Sequence, residues 1–594
     1  MRSLSPTLIS MLLFLPATAS DDTLASRAQQ ALKRHCVRCH SGQDTDDSGF
    51  NVMNVAGLRE ADDGYLTAGD PEDSLIYTRI VDEEMPPSEI RKRAPVTEQE
   101  REAIRKWIES GAPDFPSAAA RKHVTLEAIY ATALRHLRRS DASTRPYLRF
   151  FTLHNLFNRK SVELADLHYY QAALSKALNS LSWERRIKLP QRLDVWSDEA
   201  SAGPDAGPTI LFAIDVRDYG WDRNSGWREL QRLYPYGISA EFDDERLHEY
   251  DLAIQNRTET ELPVLRADWF VANATRPPLY HKLLDIPDSA VELEARLEVS
   301  IAKDFVDPKT ERIARAGFAR SGVSGQNRLV QRSDALHGFY WKSYDFKPDT
   351  GRAKLTRFPL GPANLFPGKR HPYDRFAFEH DGGEVIFSLP NGLQAYMLVD
   401  GNDDRIDSGP VEVVYDALAT SGTPLIVNGL SCMACHKHGM IEFTDTVRDG
   451  NATFGSVEKQ VRQLYPPNEA MRKLLSQDRD QFLRALDQCV SPFLRTERSG
   501  RASIESLDEP VSKVAIWHRS VYLDLETVLS ELDLETSEQL FRLGDKPLKM
   551  LGLETLRNGG VISRPEWEAF DRQFGPSLMQ QTASALGLTP VRPL

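Results

Sequence analysis

The chain has 594 residues, more than a single hydrophobic core organises, so two or three domains are expected. A hydrophobic fraction of 41% beside 27% charged residues is the composition of an ordinary soluble globular protein. The formal net charge of −13 argues against a nucleic-acid backbone as partner, which needs a basic face, and suits a basic redox partner protein better.

Residues 1–20 read as an export signal. Arg2 supplies the positive charge, Leu8 to Leu15 is a short apolar run, and Ala17-Thr18-Ala19 is a small-x-small cleavage site. The mature protein then begins at residue 21 and is periplasmic or otherwise exported; an uncleaved anchor is the alternative. No later apolar run approaches the roughly 18 residues that cross a bilayer, so no membrane span is expected in the mature chain.

Residues 21–116 form the first expected domain. "LASRAQQALKRHCVRCH" is a helical segment that runs into Cys36, Cys39 and His40. Cysteines three apart reach the two vinyl groups of one porphyrin, and the adjacent histidine then offers its imidazole to the iron. In "VDEEMPPSEI", Met85 precedes two prolines that hold its loop extended, and its thioether opposite His40 gives a six-coordinate iron suited to passing electrons. "TEQEREAIRKWIESGAPDF" is a helix with a Thr97/Glu100 capping box, an apolar face of Ile104, Trp107 and Ile108, and Gly111 as its stop. With "CVRCH", "GDPEDSLIYTRI" and "EMPP", this stretch resembles the class I cytochrome c fold. The resemblance implies that the closing helix packs across the first one.

Pro116 to His123, "PSAAARKH", has linker composition and marks the boundary of a large region, 117–594, divisible into two subdomains. From Val124 to Trp183 the patterns are mainly helical. "TILFAIDVRDYGW" reads as a strand, and "GGEVIFSLPNGLQAYMLVDGNDDRID" as two strands joined at Pro390-Asn391-Gly392. The tail, about 455 to 590, returns to helical patterns. The fold class expected is therefore mainly α: a helical class I cytochrome c domain, then a large, mostly helical region with a small β element.

A second box, Cys432, Cys435 and His436, lies in that region. Chance produces one such box about 10⁻³ times in a chain with this few cysteines, so two are not accidental. Two Cys-x-x-Cys pairs also suit one tetrahedral zinc site, but the adjacent histidine in both boxes, and export, favour two covalently attached haem c groups. The fifth cysteine, Cys489, reads as a small buried thiol.

His438 and Met440 follow His436 too closely to reach round a porphyrin to its opposite face; a propionate contact or surface position suits His438, and packing on the ring suits Met440. The ligand opposite His436 must come from farther away, with His380 the first candidate, then His337, His371 and His518. If none takes that position, the iron is five-coordinate and open to peroxide or dioxygen. The chain is then a haem-dependent oxidoreductase with the first haem as electron donor; no catalytic residue is assigned for it.

An exported protein with two covalent haems is distantly similar to the dihaem cytochrome c peroxidases and the rubber oxygenases, although those place their boxes much closer together. "IDVRDYGW", "YPYG", "ADWFVANATRPPLYHKLL", "HGFYWKSYDF", "HDGGEVIFSLPNGLQAY" and "NGLSCMACH" more closely resemble a family of large bacterial cytochromes of planctomycete type, in which a class I cytochrome domain precedes a large C-terminal region. That resemblance implies haem binding and electron transfer and names no substrate.

Overall fold

The alanine- and leucine-rich run before the first box is helical from Leu24 to His35 in the computed structural model. The structure describes residues 24–36, 40, 50–61, 63–88, 96–115, 121–196, 208–240, 245–306, 313–318, 327–346, 355–366, 371–411, 414–416, 418–450, 454–495, 503–520, 522–558, 560–571 and 575–591. The expected export signal, Cys39 and most of the linker-like stretch lie outside them. The chain separates into two units, residues 1–117 and 118–594.

In the first unit, the Glu98–Glu109 helix opens with the capping box: the Thr97 hydroxyl accepts from the Glu100 N–H, and the Glu100 side chain returns to the Thr97 backbone. This satisfies two of the N–H groups that a helix start leaves without partners. The helix packs against the Leu24–His35 helix, and Ala28, Ala31 and Leu32 share a core with Ile104, Trp107 and Ile108. Trp107 is fully buried, and its indole N–H donates to the Pro113 carbonyl at 2.9 Å. Two shorter helices, Val55–Glu60 and Leu75–Val81, complete the unit's described helices.

The second unit overturns the expectation of a mainly α fold with a small β element, because it contains three sheets. Strands β1 (Leu148–Thr152), β2 (Gln191–Leu193), β3 (Leu211–Asp215), β4 (Ile238–Ala240) and β5 (Val264–Arg266) alternate with helices. Four of them form a sheet in the order β2-β3-β1-β5, antiparallel except for the parallel β1–β5 pair. Strands β6 (Ile313–Phe318), β7 (Asn327–Ala335), β8 (Gly338–Phe346), β9 (Gly382–Ser388), β10 (Gln394–Asp400) and β11 (Arg405–Ile406) follow, and β12 (Leu588–Pro590) pairs with β4. The six strands β6 to β11 form one antiparallel sheet of successive neighbours.

The reason for the mismatch lies in β7 and β8. Both are buried on both faces, so their polar residues do not alternate with apolar ones as on a half-solvated strand. Those polar residues are instead paired. Arg328 holds Asp345 through two bonds of 2.7 Å, Arg332 holds Asp478 at 2.8 and 2.9 Å, and Lys342 reaches Asp403 at 2.6 Å. Buried charges persist only with such partners.

Asp478 belongs to the long helix Asn468–Leu494, and Trp341 of β8 donates its indole N–H to the same carboxylate at 2.9 Å. A short helix, Leu430–Cys435, carries the second box and packs against the helix Pro510–Ser520. Among the described residues no helix is long and apolar enough to cross a membrane.

Candidate haem sites

The first box begins as its helix ends. The Cys36 N–H donates to the Leu32 carbonyl at 2.8 Å, which continues the helical pattern, and the His40 N–H donates to the Cys36 carbonyl at 2.9 Å. The His40 carbonyl then accepts from Val52 at 2.9 Å. Its imidazole stacks on Phe50 with centroids 4.5 Å apart, and Phe50 stacks on Tyr65 at 4.3 Å. Met85 follows the helix Leu75–Val81, anchored by its own N–H on the Arg79 carbonyl at 2.8 Å. It is 36% exposed, unusual for a methionine and fitting a thioether that a flat apolar ring would cover. A hollow of about 420 Å³ bounded by Phe50, Asn54, Leu58 and Tyr65 lies beside the stack, and neither His40 nor Met85 lines it.

The second box is built into the core. Gly429, just before its helix, has φ +81°, and a Cβ there would meet the Thr275 carbonyl oxygen at 2.7 Å and the Tyr280 ring at 2.8 Å. Glycine alone permits both the backbone turn and the approach. Asn428 is fully buried, its N–H on the Asp407 carbonyl at 2.9 Å and its amide 2.9 Å from His281 Nε2. The Ser431 hydroxyl donates to Asp416 at 2.9 Å. These bonds fix the helix on which Cys432, Cys435 and His436 depend.

These three residues line a cavity of about 930 Å³, at the upper end of the roughly 300–1,000 Å³ usual for ligand sites. One wall is a single face of the six-stranded sheet. Val330, Trp341, Ser343, Glu384, Ile386 and Leu398 line it, and the strand registers place Trp341 opposite Ile386, Val330 opposite Ser343 and Leu398 opposite Glu384. The other wall carries the box itself with Met440, Ile441 and Phe443. The cavity's open surface is largely apolar, with Arg328, Asp345, Glu384 and Asp400 among the polar residues that line it, a composition that a haem pocket can use.

His436 Nδ1 lies 3.4 Å from the Gly439 carbonyl; with the proton on Nδ1, Nε2 would offer its lone pair to a metal. Nε2 lies 3.5 Å from Glu384 Oε2. The Tyr396 ring is nearly parallel to the imidazole at 6.0 Å. Burial raises the Glu384 carboxyl's pKa, but the positive charge and hydrogen bond of His436, the Cys432 thiol and the charge of Arg328 outweigh it, and the carboxyl is pulled down to about 2. Burial pushes the Cys435 thiol up to about 12, helped by the charges of Glu384 and Asp416. Cys432 moves the same way, through burial and then Glu384. Such surroundings hold both sulfurs in the neutral thiol form. Among the described residues no group of three or more His, Cys, Asp or Glu side chains is placed to hold a metal ion by itself.

The histidines proposed to face His436 are engaged elsewhere. His380 is buried, its Nε2 3.6 Å from Asp403, with its ring edge-on to Tyr344. His337 sits at the β7–β8 turn near Trp183. His371 is buried against Phe305 and Phe366 and accepts from the Tyr373 N–H at 2.9 Å. His518 is 2.8 Å from Glu568. Every histidine and methionine of the second unit is among the described residues, and only His436 and Met440 line the cavity. His438 does not line it. Cys489 is a fully buried thiol in the Asn468–Leu494 helix.

Sequence reasoning did not single out Glu384. Its signal was an acid inside "GGEVIFS", at an inward position of a strand that is otherwise glycine and apolar as far as Ser388.

Residues 36–89 match the family model of planctomycete cytochrome C. The first unit carries a planctomycete-type cytochrome c domain. The match includes the first box and Met85, and a cytochrome c domain of this kind holds haem c covalently and transfers electrons. The second box lies outside the match. No curated protein and no solved structure matches the chain.

Proposed function

We propose that the chain is an exported dihaem c-type cytochrome that transfers electrons to or from a redox partner protein. In the cytochrome c domain, Cys36 and Cys39 hold the first haem by thioether links, with His40 and Met85 on its iron. In the second unit, Cys432 and Cys435 hold another, with His436 on its iron. The observation that carries the second assignment is the cavity: Cys432, Cys435 and His436 line one space of about 930 Å³ whose open surface is largely apolar. Bound haem supplies a one-electron couple; the protein's part is to fix the imidazole through Gly439, exclude water with the sheet face, and orient the thiols through Asn428 and Ser431.

Intact mass of the exported protein tests this reading. Two covalent haems per chain are expected, and a single one would remove the second site.

One observation favours a second reading of that site, as a peroxidase-like or oxygen-using haem enzyme. No second histidine reaches the cavity, so the iron on His436 is not closed by a strong ligand from the described residues of its unit. Ferric and ferrous spectra with cyanide or carbon monoxide decide between them. Two low-spin irons indifferent to both ligands would leave electron transfer alone, whereas a ligand-binding, high-spin fraction would establish an open haem.

A further inference from the structure

The open reading leaves a question the structure answers by elimination: which side chain confronts the iron across from His436. Met440 is four residues from His436 on the same short segment and belongs to the box's own wall. Of the cations on the cavity, Arg328 is spent on Asp345 and Lys342 on Glu294 and Asp403. Of the acids, Asp345 is committed to Arg328, Asp400 accepts two backbone N–H groups, and Asp381 and Glu442 are exposed. Glu384 differs from all of them. It projects from the middle of the sheet wall, and its partners are atoms of the box itself, His436 and Cys432.

We propose that Glu384 is the protein group facing the second iron, a weak oxygen donor that keeps this position exchangeable for small anions and diatomic ligands. The proposal rests on the dihaem reading above. A metal on an imidazole nitrogen sits about 2 Å from it. A carboxylate oxygen only 3.5 Å from that nitrogen therefore lies within reach of such a metal, tethered by a strand whose register both neighbours fix. A ferric porphyrin core carries one net positive charge, which gives an otherwise costly inward carboxylate a partner. An oxygen donor also binds iron less tightly than imidazole or thioether, so an incoming ligand displaces it readily.

The test uses the full haem-loaded chain, its haem content counted by intact mass before any spectrum is taken. Ferric wild type is expected to show one low-spin and one high-spin iron. Glu384→His should abolish the high-spin signal in electron paramagnetic resonance, because an imidazole at this position completes a bis-histidine iron. Glu384→Gln, nearly isosteric, should retain the high-spin signal and bind azide about tenfold more tightly, since a negative charge beside the incoming anion is gone. Persistence of the high-spin signal in Glu384→His, or unchanged azide affinity in Glu384→Gln, would overturn the assignment to Glu384. Two low-spin irons in wild type would overturn it too. A chain with a single haem fails earlier, at the dihaem reading, and is recognised by mass.

Discussion

The two Cys-x-x-Cys-His boxes share a sequence pattern and differ in what holds them. The first follows directly on a helix end, in a unit whose described core is a small cluster of short helices around Trp107, with Met85 left partly exposed. The second is embedded: Cys432 and His436 are buried, Gly429 is wedged against Tyr280, and a sheet face supplies the facing wall. A unit of little more than a hundred residues buries a modest apolar surface, and a covalently held porphyrin adds to its core. In the large unit the chain builds the pocket by itself. The same five-residue motif thus sits beside a small core in one place and inside a large one in the other.

On the dihaem reading, removing the two haems separately gives the largest expected effects. Cys36→Ala with Cys39→Ala should cost one haem per chain and also the cooperative folding of the first unit, read as rapid proteolysis within residues 21–116. Cys432→Ala with Cys435→Ala should cost the other haem yet leave the second unit's circular dichroism and melting close to wild type. Equal sensitivity of the two units would break the contrast. Next in size, Trp107→Ala removes the centre of the small core and should destabilise the first unit by about 3–5 kcal/mol in denaturant titrations, without altering the second.

Met85→Ala sharpens the contrast from the electronic side. It should abolish the thioether-to-iron charge-transfer band and lower the potential of one haem alone, by on the order of 0.1 V within the roughly 0.8 V that axial ligands span. An unchanged band would show that another residue is the ligand.

The smallest effect concerns His123 in the second unit, whose hydrogen bond with Asp533, against the opposing effect of burial, raises its pKa above the usual value. A raised folded pKa contributes stability that is complete below about pH 6.5 and fades as pH rises through the folded value. His123→Gln should therefore destabilise the second unit at about pH 5.5 by less than roughly 1 kcal/mol, with the difference vanishing near pH 8.5. Melting curves at the two pH values check it, and a difference that grew with pH would contradict it.

Where local chemistry decides structure, the sequence was readable. Thr97 and Glu100 form the expected capping box, Gly111 takes φ +94° just beyond that helix, and Pro390-Asn391-Gly392 joins the two strands read around it. Where burial on two faces decides structure, it was not. Residues 327–346 read only as a segment rich in aromatics, because Arg332 and Lys342 are satisfied by Asp478 and Asp403, acids outside that segment, which no local pattern reveals. The ligand question failed for a related reason. His380, His371 and His518 are consumed by core contacts, while Glu384 gave only the faint signal of one acid in an apolar strand.

The pairing of β9 with its neighbours carries a consequence for how this chain tolerates insertions. Side chains of a strand alternate between faces, so one extra residue between Gly383 and Glu384 would turn Glu384 and Ile386 out of the pocket and bring the apolar Val385 and Phe387 in. On the dihaem reading, the second haem would then lose Glu384 from its facing wall, although every amino acid of the original pocket remained in the chain. Parity along seven residues, more than any one side chain, sets what chemistry that wall can offer.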